Sequence, residues 1–233
     1  MSVLSRVRVD LNGLSRETLF DVLNAGAYSA HRLLWQLFPN HDGERPFLFR
    51  QELEAEPIGA GGARGLPLFY VLSEAEPVAV PGLLAVESKP FAPELAGGDR
   101  LAFRLRANPT VARRIGESRS VRSDVLMHAK HDFKPVERAS PACQEAMDKA
   151  AQDWLAERAS KHGFELAAPP VVDAYRQHEL HKTGQKRPIR FSSIDYQGVI
   201  TVTDPARFGA SLLTGIGRAK AFGCGLMLIR RAG

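Results

Sequence analysis

Residues 100–107 read Arg-Leu-Ala-Phe-Arg-Leu-Arg-Ala, with an apolar side chain at every second position and arginine at three of the four between. Side chains alternate across a strand, so this pattern puts one face on a core and the other in solvent. Val3–Asp10 (VLSRVRVD) alternates in the same way. Two half-buried strands, one near the N-terminus and one near the middle of a long chain, call for sheets that each carry helices on a single face.

The rest of the sequence can be sorted around them. Ser15–Leu23 is predicted as a short helix, and Asn24 can cap a second one that runs through Tyr28 and His31 to Phe38, where Pro39 stops it. Phe47–Leu53, Leu66–Leu72 and Leu83–Glu87 read as strands, the first two separated by PIGAGGARG. The stretch KPFAPELAGGD is the best linker. Beyond it, Arg100–Ala107 is a strand, 110–139 is basic and irregular, and Pro141–His162 is a long helix with Ala146, Ala150, Trp154 and Leu155 toward the core. Gly163 suits a C-cap. Val171–Leu180 and Ile189–Thr203 read as strands joined by HKTGQKRP; a helix starts at Asp204-Pro205, and Leu226–Arg230 is a last strand. The second half therefore has the order β-α-β-β-α-β, and the first half is a shorter version of it. The expected fold is α+β: two tandem ferredoxin-like (RRM-like, βαββαβ) domains with antiparallel sheets, over 1–93 and 98–233.

Charge narrows the partners. The net charge is +5, with a sequence pI near 9.4. Glutamate leads between 51 and 94, whereas Arg100, Arg104, Arg106, Arg113, Arg114, Arg119 and Arg122 crowd 100–122, and Arg176, Lys182, Lys186, Arg187 and Arg190 form a second cluster. Clustered cation of this kind suits a polyanion or a solvated surface, and two clusters favour nucleic acid. No apolar run approaches about eighteen residues, so no membrane span is expected. The N-terminal MSVLSRVRVDL alternates too regularly for a signal peptide. Two cysteines, Cys143 and Cys224, cannot make a disulfide framework, which suits a reducing cytoplasm.

Three stretches bear on chemistry. GIGRAKAFGCG, at 215–225, combines four glycines with Arg218 and Lys220. It fits neither G-x-x-x-x-G-K-[ST] nor G-x-G-x-x-G, and a helix precedes it, so it is not a mononucleotide loop. It can hold a nucleic-acid phosphate on its backbone N–H groups, or serve as a tight turn into a buried strand. In AYSAHRLLWQLFP, Leu23, Ala27, Ala30, Leu34, Leu37 and Phe38 share a core face; Tyr28, His31 and Trp35 run along its edge. Tyr28 and His31 are one turn apart. Near a helix start an anion is favoured and imidazolium disfavoured, so His31 is either a proton-transfer group beside a phosphate or a histidine at the core boundary. His128/His131 and His178/His181 are spaced i, i+3 but lack further ligands, HELH is one residue short of H-E-x-x-H, and no G-x-S-x-G is present. Neither a metal centre nor a cofactor is expected.

YSAHRLLWQLFP, DRLAFRLRANPT and GIGRAKAFGCGLM, in this order and near these positions, resemble the CasE family, the repeat-RNA endoribonucleases of type I-E CRISPR (Cascade) systems. The resemblance spans essentially the whole chain. It implies paired ferredoxin-like domains and a glycine-rich loop near the C-terminus. It also implies metal-independent cleavage of precursor CRISPR RNA at the base of the repeat stem-loop, leaving a 2′,3′-cyclic phosphate or the derived monophosphate, with Tyr28 and His31 as the catalytic pair. The implied partners are the repeat RNA and other Cascade subunits. The chain departs from shorter relatives in the glycine-containing insert at 58–65 and in the basic segment between Asn108 and Pro141.

An A-form stem is read through backbone and groove shape. HKTGQKRP is accordingly predicted to be a hairpin tip whose Lys182, Lys186 and Arg187 meet the stem, with Arg113, Arg114, Arg119 and Arg122 as a second surface. Arg32, Arg190, Gly215, Gly217, Arg218 and Lys220 complete the expected RNA contacts. The competing readings are a non-catalytic RNA-binding subunit of the same build, from which the Tyr28/His31 pair separates it, and a metal-dependent hydrolase.

Overall fold

The computed structural model describes residues 2–10, 27–41, 43, 45–53, 66–115, 119–180 and 187–232; the side chains of 27, 28, 113–115 and 119–121 are outside that description. The expected helix Ser15–Leu23, the Asn24 cap and all of PIGAGGARG fall outside it too. The chain forms two compact units, Met1–Pro93 with Lys220–Leu226, and Glu94–Ala219 with Met227–Gly233.

In the first unit, β1 (Val3–Val9), α1 (Ala27–Trp35), β2 (Phe47–Leu53), β3 (Pro67–Ser73) and β4 (Leu84–Pro90) follow in order. The sheet runs β2-β3-β1-β4 with every neighbour antiparallel. Placing β3 between β1 and β2 gives the split β-α-β arrangement of a ferredoxin-like sheet. Alternation does what it should: Ser5, Val7 and Val9 of β1 are buried. With Phe47, Phe49, Phe69, Val71 and Leu84, the two valines meet Ala30, Leu33, Leu34, Leu37 and Phe38 in one core. No helix connects β3 to β4; the chain turns tightly through Val80, which bridges to Leu84. A segment from far along the chain, a single 3₁₀ turn at Lys220–Phe222, packs on α1 and β2 instead. The sequence reading assigned these residues to the second domain. Local pattern cannot show this return, because Lys220–Leu226 joins the first unit only through tertiary packing.

The second unit has β5 (Arg100–Ala107), β6 (Thr110–Ile115), β7 (Arg119–Asp124), α2 (Val125–His131), α3 (Pro141–Ala159), β8 (Phe164–Leu166), β9 (Val171–Leu180), β10 (Ile189–Val202), α4 (Pro205–Thr214) and β11 (Met227–Arg231). Its sheet runs β11-β5-β10-β8, with β9 also paired to β10 and all pairings antiparallel. The ferredoxin-like order thus recurs, its second strand divided into β8 and β9. The fold is α+β with antiparallel sheets, as expected. The segment 110–139, expected to be irregular, instead holds the two-stranded β6–β7 ribbon and α2. The Asp124 carboxylate caps α2 by accepting from the N–H groups of Leu126 and Met127. Apolar residues in the ribbon are too few for a periodic signal.

Capping also sets the long helix. Ser140 accepts from the Cys143 N–H, and Pro141 needs no donor at the first position. Cys143, Met147, Ala151, Trp154 and Leu155 form its buried stripe, so the core register is one residue later than Ala146 and Ala150 suggested. Asp204 caps α4 through the Arg207 N–H, with Pro205 next. None of the described helices is long and apolar enough to cross a membrane.

Gly163 ends the 3₁₀ turn after α3 in the left-handed region at φ 77°, where a Cβ would sit 2.5 Å from the Asp204 carbonyl oxygen and 2.7 Å from the Phe208 nitrogen. Neither backbone atom can rotate away. Gly163→Ala is expected to cost more than the ~1–2 kcal/mol of left-handed backbone alone. The thermal midpoint should fall by at least about 2–4 °C per kcal/mol at this chain length; an unchanged midpoint in a melting experiment would contradict the close packing of α4 on this turn.

Candidate functional site

His31 sits on α1 between its buried stripe and solvent. Trp35 follows one turn later, and its indole Nε1 donates to His31 Nε2 at 3.1 Å. The indole can only donate, so His31 Nε2 carries a lone pair and the ring proton is on Nδ1. The first residue of β2 provides the floor. The Phe47 ring lies 6.1 Å from the His31 ring, 5.8 Å from Trp35 and 5.1 Å from Phe38, centroid to centroid. His41 meets Trp35 from the connection to β2, at 6.3 Å.

Two further cations join this imidazole within the first unit. The Arg45 guanidinium lies with Cζ 5.8 Å from the Phe47 centroid. Burial pushes its pKa down, and among the described residues its Nε is buried without a hydrogen-bond partner. Lys220 comes from the 3₁₀ turn that packs on α1 and β2; burial and then the charge of Arg45 lower its pKa. The same two causes in the same order, burial and Arg45, lower that of His31. With these shifts the ring is neutral at pH 7.

The glycines after α4 are explained by packing. Gly223 has φ 81°, and a Cβ on it would come within 3.1 Å of the Phe49 ring. Glycine lets the returning segment lie directly on the core of the first unit. Cys224 and Leu226 are buried there.

The other expected site residues scatter. Tyr28 is on α1 one turn before His31, but its side chain is outside the described residues. Arg32 is exposed on α1. Arg113 and Arg114 lie on β6 and Arg119 on β7, side chains undescribed, while Arg122 of β7 is exposed. Lys182 and Lys186 lie outside the described residues; Arg187 is exposed where the β9–β10 ladder opens, and exposed Arg190 pairs with Glu179 at 2.8 Å. Gly215 ends α4, Gly217 packs against the Trp154 ring, and Arg218 is exposed, all three in the second unit. Of the expected set, His31 and Lys220 share one surroundings. The sequence reading did not single out Arg45. It sits between helix and strand in GERPF, where no periodicity marks it.

Outside this group, His178 accepts from or donates to Ser193 Oγ at 2.8 Å and stacks on Phe191 at 4.4 Å. Burial, then Arg106 and Arg176, hold it below the ordinary histidine range. Among the described residues, no three His, Cys, Asp or Glu side chains come together as a metal-holding group.

Comparison with known proteins places this geometry. A family profile described as "CRISPR associated protein" matches residues 3–231. The chain is 30% identical over 207 residues to the CRISPR-associated endoribonuclease Cse3 of Thermus thermophilus, covering 85% of this chain and 79% of that one. It is 26% identical over 218 residues to the CRISPR system Cascade subunit CasE of Escherichia coli, covering 92% and 96%. A structure of CRISPR endoribonuclease Cse3 bound to 19 nt RNA superposes with a TM-score of 0.64 at 27% identity, covering 98% of both chains. The crystal structure of Cas6e from Escherichia coli, at 23% identity and a TM-score of 0.61, shares the fold over 99% of this chain. With the three motifs carried in order along the full length, the chain belongs to the CasE family of CRISPR-associated proteins.

Proposed function

We propose that the protein is an endoribonuclease that cleaves precursor CRISPR RNA at the base of the repeat stem-loop, without a metal ion, in the cytoplasm. On this reading it keeps the product beside other subunits of a Cascade-type complex. The observation that carries the proposal is a neutral, half-buried imidazole with a defined tautomer, held between an indole and two cations in a CasE-family chain. The Cse3 relative, an endoribonuclease by name and seen bound to RNA, supports it.

RNA supplies its own nucleophile. The 2′-hydroxyl attacks the adjacent phosphorus in line with the 5′-oxygen; the 2′-O–P bond forms as the P–O5′ bond breaks. The 2′ proton passes to a base and the departing 5′-oxygen gains a proton, leaving a 2′,3′-cyclic phosphate and a 5′-hydroxyl. A group already neutral at pH 7 is suited to accept the proton, and such transfer contributes on the order of 10²–10⁴ in rate. His31 does this through Nε2 once the 2′-hydroxyl takes the place of the Trp35 N–H. Tyr28, one turn away on the same helix, orients an oxygen of the reacting group. Lys182, Lys186 and Arg187, with the arginines of β6 and β7, grip the stem.

Incubation of the protein with a repeat stem-loop RNA in EDTA tests the assignment. Cleavage should persist in EDTA and disappear both with His31→Ala and with a 2′-deoxy nucleotide at the cleavage position. Binding with no cleavage would favour the non-catalytic subunit, and loss of activity in EDTA the metal-dependent enzyme. Lys182→Ala and Lys186→Ala should weaken binding and lower the slope of log Kd against log salt by about 0.7–0.9 per lost phosphate contact; an unchanged slope would remove this connection from the interface.

The indole hydrogen bond stabilises the neutral ring, so its removal raises the pKa. Trp35→Phe should move the His31 titration, followed by NMR, and the acidic limb of the rate profile to higher pH by about half a unit to one unit. A downward shift would mean that the indole does not donate to this ring.

A further inference from the structure

We propose that Arg45 anchors the scissile phosphate, its guanidinium taking the non-bridging oxygens of the phosphodiester that His31 addresses. The inference rests on the endoribonuclease reading and adds to it a residue and a ligand chemistry.

The placement comes first. Arg45 directly precedes the Pro46-Phe47 entry into β2, and its guanidinium lies against the same Phe47 ring that His31 meets from α1. An aromatic floor holds a cation in place without neutralising it. Its Nε is buried with no hydrogen-bond partner among the described residues, a donor left unmet beside the Phe47 ring. No carboxylate among the described residues pairs with it.

Charge points the same way. Among the described residues, His31 meets Trp35 on its own helix, Arg45 on the connection to β2 and Phe47 on β2; His41 lies against Trp35, and Lys220 arrives on the turn that packs on α1. Of these described groups three are basic nitrogen groups and none is acidic. Burial, and after it the charge of Arg45, disfavours the protonated forms of both His31 and Lys220. A guanidinium whose Nε is buried with no partner among the described residues is unfavourable unless an anion meets it. A phosphodiester meets that need, and the planar guanidinium matches two of its oxygens at once, which an ammonium cannot. Bound there, the phosphate would also raise the His31 pKa toward its ordinary value and so prepare the ring to take a proton.

The test compares two stem-loop RNAs that end at the cleavage position, one with a 3′-phosphate and one with a 3′-hydroxyl. The wild-type chain should bind the phosphate-ended RNA about ten- to a hundredfold more tightly, the scale of a hydrogen bond to a charged group. Arg45→Met should abolish that preference while leaving the Kd for the hydroxyl-ended RNA unchanged, and Arg45→Lys should keep part of it. In the free protein, Arg45→Met should raise the His31 pKa measured by NMR, a readout that needs no RNA. Arg45→Lys, which keeps the charge, reads out the loss of bidentate geometry should the methionine variant fail to fold. A wild-type chain that cleaves but shows no phosphate preference, or a preference that survives Arg45→Met, overturns the anchor and leaves the nuclease reading standing. A preference lost in Arg45→Met in a chain that never cleaves supports the anchor and removes the nuclease reading.

Discussion

Phe47 and Phe49 point from β2 into the core of the first unit, and nearly everything around His31 depends on what lies against those two rings. Phe47 meets His31, Trp35, Phe38 and Arg45. Phe49 is covered by Gly223, whose missing side chain lets the segment after α4 come down onto the sheet. If that segment stood off by the width of a methyl group, Lys220 would leave the neighbourhood of Arg45 and the set of bases would open. A close-packed interior transmits such a shift instead of absorbing it. A glycine-rich stretch that reads as a loop for a ligand is, at Gly223, first of all a fit to the protein's own aromatic core.

The cluster suits the proton transfer proposed for it and is a poor arrangement for stability. Burial disfavours charge on His31, Arg45 and Lys220, and Arg45 disfavours it again on the other two. Trp35 holds the imidazole in one tautomer, the kind of orientation a reacting histidine needs and a structural one does not. Sites that break the ordinary rules of charge satisfaction are where function is to be sought.

The second unit supplies the basic surface in a different form. Among its described cations, Arg122 on the β6–β7 ribbon and Arg187 and Arg190 where the β9–β10 ladder opens are exposed. Ribbons and ladder ends project from a sheet and suit the shape-dependent grip that a stem requires. Cations inside the sheet behave otherwise: Arg106 makes two hydrogen bonds to Asp195, at 3.0 and 2.8 Å across β5 and β10, and is thereby committed to the fold.

Strands with one buried face were plain in the sequence, because alternation is a local property. Val3–Val9 and RLAFRLRA needed nothing beyond their neighbours to declare themselves, and the repeated β-α-β-β-α-β order followed. His31 could be marked by its position on the edge of an apolar helix stripe, and Gly163 and Asp204 by the helix ends they form. Tertiary packing decided the rest. The β6–β7 ribbon carries too little apolar residue for a period to show, and the α3 stripe settled one residue away from expectation because Met147 and Ala151 met the sheet. The meeting of the His31 and Phe47 rings and the arrival of Lys220 in the same unit depend on groups brought together from distant parts of the chain. Pattern along a sequence reports which face of an element is dry; which charges then meet across that dry face is settled only when the elements pack.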